Sequence, residues 1–136
     1  MITSAMTAAH FTLDELEQEV RRLAAEQPDK VYEPQIELMY GDPTNTSCLY
    51  WHEKENAPGC IYGHALTNLG IPRHYFNEGE AIDSLLAALF GLTEADIPRW
   101  FADVQLQQDD HVSWSDAVRE ADWRKKALDL MKVQGK

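Results

Sequence analysis

Four short segments of this chain carry the signature with which α-helices begin, and they constrain its fold more than any other feature. In each segment a Ser, Thr or Asn precedes an acidic residue by three positions, so that the two side chains can accept backbone N–H groups at a helix start. The segments are residues 12–15, 77–80, 93–96 and 113–116. Apolar residues at helical spacing follow each one, and this predicts four helices.

A fifth helix and a small hairpin complete the predicted fold. Residues 60–69 are expected to be helical, because Pro58 and Gly59 precede them and Gly70 follows. Residues 31–40 and 48–52 have the character of strands on either side of the turn-forming sequence GDPTNTS. A hairpin alone is marginally stable and needs a covering layer. The predicted fold is therefore α+β, mainly helical, with about five helices packed on a small two-stranded antiparallel hairpin.

The 136 residues are expected to form a flexible leader over 1–11 and a single globular domain over 12–136. The last helix carries an apolar stripe that is predicted to face the core. The members of this stripe are Trp114, Ala117, Val118, Ala121 and Leu128. Trp123 falls about half a turn away from the stripe at 3.6 residues per turn, which makes it either a surface anchor or the sign of a change in register.

The formal net charge of −11 argues against nonspecific attraction to nucleic acid or to anionic membranes, because phosphate repels such a surface. It allows basic protein partners, and it allows an acidic DNA mimic. The first residues lack the basic and apolar segments of a secretory signal. Two cysteines in such a chain are expected to be thiols in a reducing compartment, which predicts a cytoplasmic protein.

The densest group of chemically reactive residues is a C-x3-H-x7-C-x3-H frame formed by Cys48, His52, Cys60 and His64. Cys60 and His64 lie four residues apart on a predicted helix and could both bind one zinc ion. Cys48 and His52, if extended, lie about 13 Å apart, so the strand would have to bend before all four reached one ion. These four residues are the candidate metal ligands, and zinc is the candidate metal.

Three other interpretations of the same residues stay open. The cysteines are buried structural thiols, or they form a disulfide, or Cys60 and His64 act as a catalytic or redox pair in which the imidazole is the base. No oxyanion motif accompanies the pair in the sequence. Free cysteines are among the most buried residue types, so we prefer structural packing, which needs no cofactor.

Asp109, Asp110 and His111 form a second cluster, at the predicted end of a helix. Such a cluster suits an acid–base or metal site, and equally a turn in which aspartates accept backbone N–H groups. We keep Asp109 and Asp110, together with Trp123 and Tyr75, as candidate residues for contact with a partner. The chain contains no P-loop, GxGxxG, HExxH, GxSxG or EF-hand pattern, and catalysis is therefore not indicated.

The segments SCLYWHEKENAPGCIYGHALTNLGIP and VQLQQDDHVSWSDAVREAD resemble parts of small uncharacterised proteins of actinobacteria and their bacteriophages. In those proteins a C-x-Y-x-H strand leads through a P-G/S-C turn into a helix, and a V-Q-x-x-Q-D…W-x-x-A-V segment closes the domain. The resemblance singles out these positions: Cys48, His52, Cys60, Gly63, Gln105, Gln108, Asp109 and Trp114. It implies a phage or prophage accessory gene whose product binds a host protein.

We therefore expect a non-enzymatic, small acidic protein that acts by protein–protein interaction, as a phage accessory factor that binds a host protein in the host cytoplasm. One alternative is a zinc-binding or hydrolytic protein that uses the Cys48, His52, Cys60 and His64 cluster. The other alternative is an acidic DNA mimic. The expected partner is a host or cellular protein, a homodimer is compatible with the sequence, and neither direct nucleic-acid contact nor membrane contact is expected.

Overall fold

A computed structural model describes residues 10–32, 50–52, 56–76 and 80–134, with the backbone alone for His52, Val133 and Gln134. Its α-helices are α1 (Leu13–Glu26), α2 (Ile61–Asn68), α3 (Ile82–Phe90), α4 (Arg99–Asp109) and α5 (Trp114–Gln134). Two short strands, β1 (Trp51–His52) and β2 (Ala57–Pro58), and two 3-10 turns, Arg73–Tyr75 and Glu94–Asp96, lie between them. Five helices in the described part of the chain agree with the predicted number.

The predicted hairpin, by contrast, is wrong as a platform for the helices. Within the described residues, the pairing is limited to β1 and β2, which are antiparallel with Trp51 opposite Pro58 and His52 opposite Ala57. Two residues on each side form a bridge rather than a sheet, and Pro58 has no N–H with which to extend it. Most of the first predicted strand, over 31–40, lies outside the described residues. The helices pack on one another instead.

Local capping explains where two of the helices begin. The Glu15 N–H donates to the Thr12 hydroxyl at 3.0 Å, and the Thr12 N–H donates to the Glu15 carboxylate at 2.8 Å, which is the predicted capping box of α1. At α5 the Asp116 N–H donates to the Ser113 hydroxyl at 3.3 Å. Helix-start signals of the sequence are therefore confirmed at both places.

The capping box at Thr93 begins a different element from the one expected. Asp96 accepts the Thr93 N–H at 3.1 Å, but the turn that follows is the 3-10 segment Glu94–Asp96, and α4 begins at Arg99 after Pro98. Proline lacks an N–H and clashes with the preceding turn inside a helix. Pro98 therefore splits the single helix predicted from residue 93 onward.

The core lies between α1, α2, α3, α4 and the first half of α5. Its largest fully buried aromatic side chains are Trp114, Tyr50, Tyr62 and Phe101. Phe11, the last residue of the predicted leader, packs edge-on against Phe90 with 5.6 Å between ring centroids, while residues 1–9 lie outside the described residues. No helix in the described part of the chain has the length and apolar character needed to cross a bilayer.

Candidate functional site

Cys60 immediately precedes α2, and its side chain is fully buried. The side chain is disulfide-bonded. The prediction that the cysteines are thiols is therefore wrong for Cys60. A disulfide sulfur is not the thiolate that binds zinc or attacks a substrate. The other cysteine of the chain is Cys48, which lies outside the described residues.

His64 lies one turn into α2 and packs against the first residue of α5. Its ring centroid is 5.5 Å from that of Trp114, in an edge-on arrangement. Among the residues that the structure describes, no group of three or more His, Cys, Asp or Glu side chains is arranged to hold a metal ion. The side chains of Cys48 and His52 fall outside that description. A zinc site formed by all four residues stays a prediction, and it requires that the disulfide of Cys60 be reduced to the thiolate.

Gln105 and Gln108, three residues apart on α4, cap two other helices. The Gln108 side-chain oxygen accepts the N–H of Ile61, the first residue of α2, at 2.7 Å. The Gln105 side-chain oxygen accepts the N–H of Ile82, the first residue of α3, at 2.8 Å. Both glutamines are buried, and buried N–H groups at helix starts need such acceptors. The V-Q-x-x-Q-D motif therefore holds the helices together.

Tyr50 and Gly63 complete this bracing. The Gln105 amide donates to the Tyr50 hydroxyl at 2.9 Å, and that hydroxyl donates to the Glu80 carbonyl. Burial raises the pKa of Tyr50 well above its ordinary value. A Cβ at Gly63 would overlap the Tyr50 carbonyl oxygen, so a glycine is required for this close approach. Gly63, Gln105 and Gln108, which the resemblance singled out, therefore act in packing.

Asp109 is the last residue of α4, and Asp110 and His111 begin the turn that leads to α5. The Gln108 amide donates to Asp109 at 3.0 Å, Asp110 is the C-cap of α4, and His111 adopts a left-handed backbone with φ of 64°. Asp109 and Asp110 line a surface depression of about 370 Å³ with Leu106 and Gln107. Their role in partner contact stays a prediction, as does that of exposed Tyr75, whose ring lies 4.5 Å from that of His74.

The two halves of α5 differ in burial. In the inner half, residues 114–122, the side chains of Trp114, Ala117, Val118 and Ala121 are buried. In the outer half, residues 123–134, no described side chain is buried. Trp123 is 66 % exposed and Met131 is 64 % exposed. Of the two roles foreseen for Trp123, the structure thus gives it a surface position.

A groove of about 340 Å³ separates α4 from the outer half of α5; we call it the tryptophan groove. Its lining residues are Arg99, Asp103, Glu120, Trp123, Arg124, Ala127 and Leu128. Arg99 pairs with Asp103 at 3.4 Å and Arg124 pairs with Glu120 at 3.1 Å, each along its own helix. The Asp103 carboxylate is buried, whereas Arg99 is exposed. The groove therefore combines an indole, aliphatic groups and two arginine–carboxylate ion pairs.

Leu128 corrects the predicted core stripe. It was expected to face the core, yet it is 42 % exposed and lies between the tryptophan groove and a second groove of about 220 Å³. The helical spacing is as predicted, but α4 begins at Arg99 and gives Leu128 little to pack against. Sequence reasoning also missed Asp103, whose only local signal is its i,i+4 spacing from Arg99.

Comparisons of the chain with protein-family models, with curated proteins and with solved structures find no match.

Proposed function

We propose that this protein acts without catalysis, by protein–protein interaction, and that the outer half of α5 with the tryptophan groove is its contact face. The observation that carries the proposal is the exposure of four large apolar side chains within nine residues of one helix. These are Trp123, Leu128, Leu130 and Met131. A cluster of exposed apolar side chains rimmed by polar residues marks an interaction site, whereas single exposed apolar side chains are normal on a protein surface.

The composition of the face supports this role. Trp, Met and Arg are enriched in protein interfaces, and Trp and Arg dominate the binding energy when they are buried there. Trp123 and Arg124 stand at the rim of a groove that a partner's side chains can fill. The basic residues Lys125, Lys126 and Lys132 surround the apolar ones, which favours protein binding over imitation of DNA as the role of this face.

The expected partner is a host protein, and the expected setting is that of a phage accessory factor in an actinobacterial cytoplasm. Support for this context comes from the resemblance of the two motif segments. Disulfides are rare in a reducing cytoplasm, so the state of Cys60 in cells bears on the compartment. Alkylation of intact cells before lysis, followed by mass determination, distinguishes a thiol from a disulfide.

Affinity capture tests the proposal. Tagged wild-type protein, Trp123→Ala and Leu106→Ala are incubated with host lysate, and the dissociation constant of each specifically captured protein is then measured with purified components. Leu106 is the matched control, because it is 56 % exposed and lines the depression beside Asp109 and Asp110 rather than either groove, so that it also tests this other candidate contact site. We expect Trp123→Ala to weaken binding about tenfold or more and Leu106→Ala to leave it unchanged. Equal affinity of all three proteins would contradict the proposed face.

A further inference from the structure

We propose that Met131 is a modification site, at which hydrogen peroxide oxidises the thioether to a sulfoxide and converts part of the contact face from apolar to polar. The effect on the partner rests on the proposed function, since it concerns the same contact face and names a covalent change that weakens binding there. Three observations carry the proposal: the exposure of Met131, its position beside the tryptophan groove and the disulfide of Cys60.

In the described part of the chain, Met131 is the sulfur side chain that an oxidant can reach. It is 64 % exposed, whereas Cys60, the other described sulfur side chain, is fully buried and disulfide-bonded. Peroxide oxidises cysteine through the thiolate, which a disulfide lacks. Peroxide that meets the described surface therefore reacts with sulfur at Met131.

The position of Met131 gives this oxidation a consequence. Ala127 and Leu128 line the tryptophan groove, and they precede Met131 by four and three residues, so the three side chains share one side of α5. A helical side chain also leans toward the N-terminus of its helix, which here is toward the groove. Met131 therefore extends the apolar side of the groove by about one turn.

The disulfide indicates that the chain meets oxidising conditions. Disulfides persist in oxidising environments and are rare where glutathione and thioredoxin keep thiols reduced. Because Cys60 is disulfide-bonded, the exposed thioether of the same chain is subject to the same conditions. The covalent state of one sulfur and the exposure of the other thus favour the same chemistry.

The reaction balances with hydrogen peroxide as the oxidant. A lone pair of the Met131 sulfur attacks one oxygen of the peroxide, so that an S–O bond forms and the O–O bond breaks. Sulfur is oxidised, the peroxide is reduced, and its second oxygen leaves as water after proton transfer. A methionine sulfoxide reductase reverses the change, because its thiols are oxidised to a disulfide and the sulfoxide oxygen leaves as water.

The sulfoxide changes what the contact face can bind. Oxidation turns a flexible apolar side chain into a polar one, and burial of a polar group without a hydrogen-bond partner is costly. A partner that packs apolar groups against Met131 therefore loses affinity when the sulfur is oxidised. The fold itself is unaffected, since the side chain is exposed in the free protein.

Peptide mapping by mass spectrometry, on the full chain treated with hydrogen peroxide, tests the modification site. We expect Met131 to gain one oxygen atom at nearly the rate of free methionine, and a methionine sulfoxide reductase to remove it. Retention on a phenyl column, which measures exposed apolar surface, should fall on oxidation while the circular dichroism stays unchanged.

Met131→Leu is the matched control, because it removes the sulfur and keeps an apolar side chain. The variant retains the other methionines of the chain, which are Met1, Met6 and Met39. Its retention on the phenyl column should hardly respond to peroxide. An equal fall in the wild type and in Met131→Leu would assign the change to those other methionines and overturn the proposal.

The effect on binding is measured with the host protein that the wild type captures. Peroxide should raise the dissociation constant of the wild type about fivefold or more, and the reductase should restore it. In Met131→Leu the dissociation constants before and after peroxide should be the same. Met131→Gln, which is polar at this position without oxidation, should bind more weakly than the untreated wild type.

The two proposals can fail separately. Slow oxidation of Met131 overturns the modification site, whether or not a host protein is found. Equal affinities of the oxidised and the untreated wild type overturn the effect on binding, while the proposed function stands if Trp123→Ala loses its captured host protein. If no host protein is captured, the proposed function fails, and the oxidation rate and the phenyl-column retention still decide the modification site.

Discussion

The two halves of α5 are one continuous helix with opposite surroundings. Trp114, in the inner half, is fully buried, and Trp123, in the outer half, is 66 % exposed. Around Trp114 lie His64 at 5.5 Å and Lys30, whose ammonium group lies 5.4 Å from the centre of the indole ring. Around Trp123 lies an open groove. Neighbouring elements, rather than residue type, decide which tryptophan belongs to the core.

This difference teaches how stability and binding are divided along the helix. The inner half is fixed by the backbone N–H of Trp114, which donates to the Lys30 carbonyl at 2.8 Å. It is also fixed by Asp122, which accepts hydrogen bonds from Arg21 and Trp100. The outer half exposes apolar surface to water. Contact with a partner would bury this surface and gain the hydrophobic free energy of burial. Substitutions in the inner half should therefore change folding, and those in the outer half should change association.

Replacing each tryptophan by alanine gives the largest expected contrast. Trp114→Ala should lower the free energy of unfolding by about 3–5 kcal/mol, because it leaves a cavity in the core. Trp123→Ala should change it by less than about 0.5 kcal/mol, as is usual for exposed positions. Urea unfolding followed by circular dichroism measures both values. Equal losses in the two variants would show that the two halves of α5 do not differ in their contribution to folding.

Breaking the disulfide should loosen the support beneath the inner half. Cys60 precedes α2, and α2 carries the His64 ring that packs on Trp114. Cys60→Ala should therefore cost about 2–5 kcal/mol of unfolding free energy. A reducing agent should destabilise the wild type by a similar amount and leave Cys60→Ala unchanged, which provides the internal control. A wild-type melting curve that does not respond to reduction would contradict this expectation.

Sequence reasoning predicted the elements whose signals are local. The capping box at Thr12 and the serine cap before α5 each act within a few residues, and the structure confirms the helices that begin there. The position of Trp123 half a turn from the buried stripe follows from helical geometry alone. Its exposure is therefore the part of the candidate site that the sequence could predict.

Features that depend on distant contacts were not predictable in this way. The hydrogen-bond acceptors for the N–H groups of Ile61 and Ile82 are glutamines that lie 47 and 23 residues away in sequence. No residue near either isoleucine in the sequence predicts these acceptors. Leu128 has the spacing of a core residue, but its exposure depends on where α4 begins. Period-two patterning likewise predicted a hairpin for a chain whose helices pack on one another.

Gln108 gives a prediction of intermediate size on the packed side of the comparison. Gln108→Leu keeps the volume but leaves the buried Ile61 N–H without its acceptor, which should cost about 1–3 kcal/mol. Gln107→Leu, at the half-exposed neighbouring position, is the matched control and should cost less than about 0.5 kcal/mol. Chemical denaturation of the two variants in parallel measures the difference. Similar losses would mean that the cap contributes nothing beyond general packing.

The smallest expected effect lies at Asp122, where the inner half ends. Arg21 donates to both oxygens of this carboxylate, at 2.7 and 2.9 Å, and Trp100 donates to one of them at 2.9 Å. The Arg21 guanidinium holds the pKa of Asp122 below its usual range. Because Asp122 is about half exposed, Asp122→Asn should cost only about 0.5–1 kcal/mol at neutral pH.

The pH dependence of that loss identifies the ion pair as its cause. A carboxylate whose pKa is lower in the folded state contributes its stabilisation above the pKa of the unfolded chain, about 3.9, and loses it as the pH falls through the folded value. The wild type and Asp122→Asn should therefore differ at neutral pH and converge in acid. The control is Asp129, whose carboxylate is exposed in the outer half. Asp129→Asn should change the free energy of unfolding by less than about 0.5 kcal/mol. A difference between the wild type and Asp122→Asn that persisted unchanged into acid would instead point to packing around Trp100.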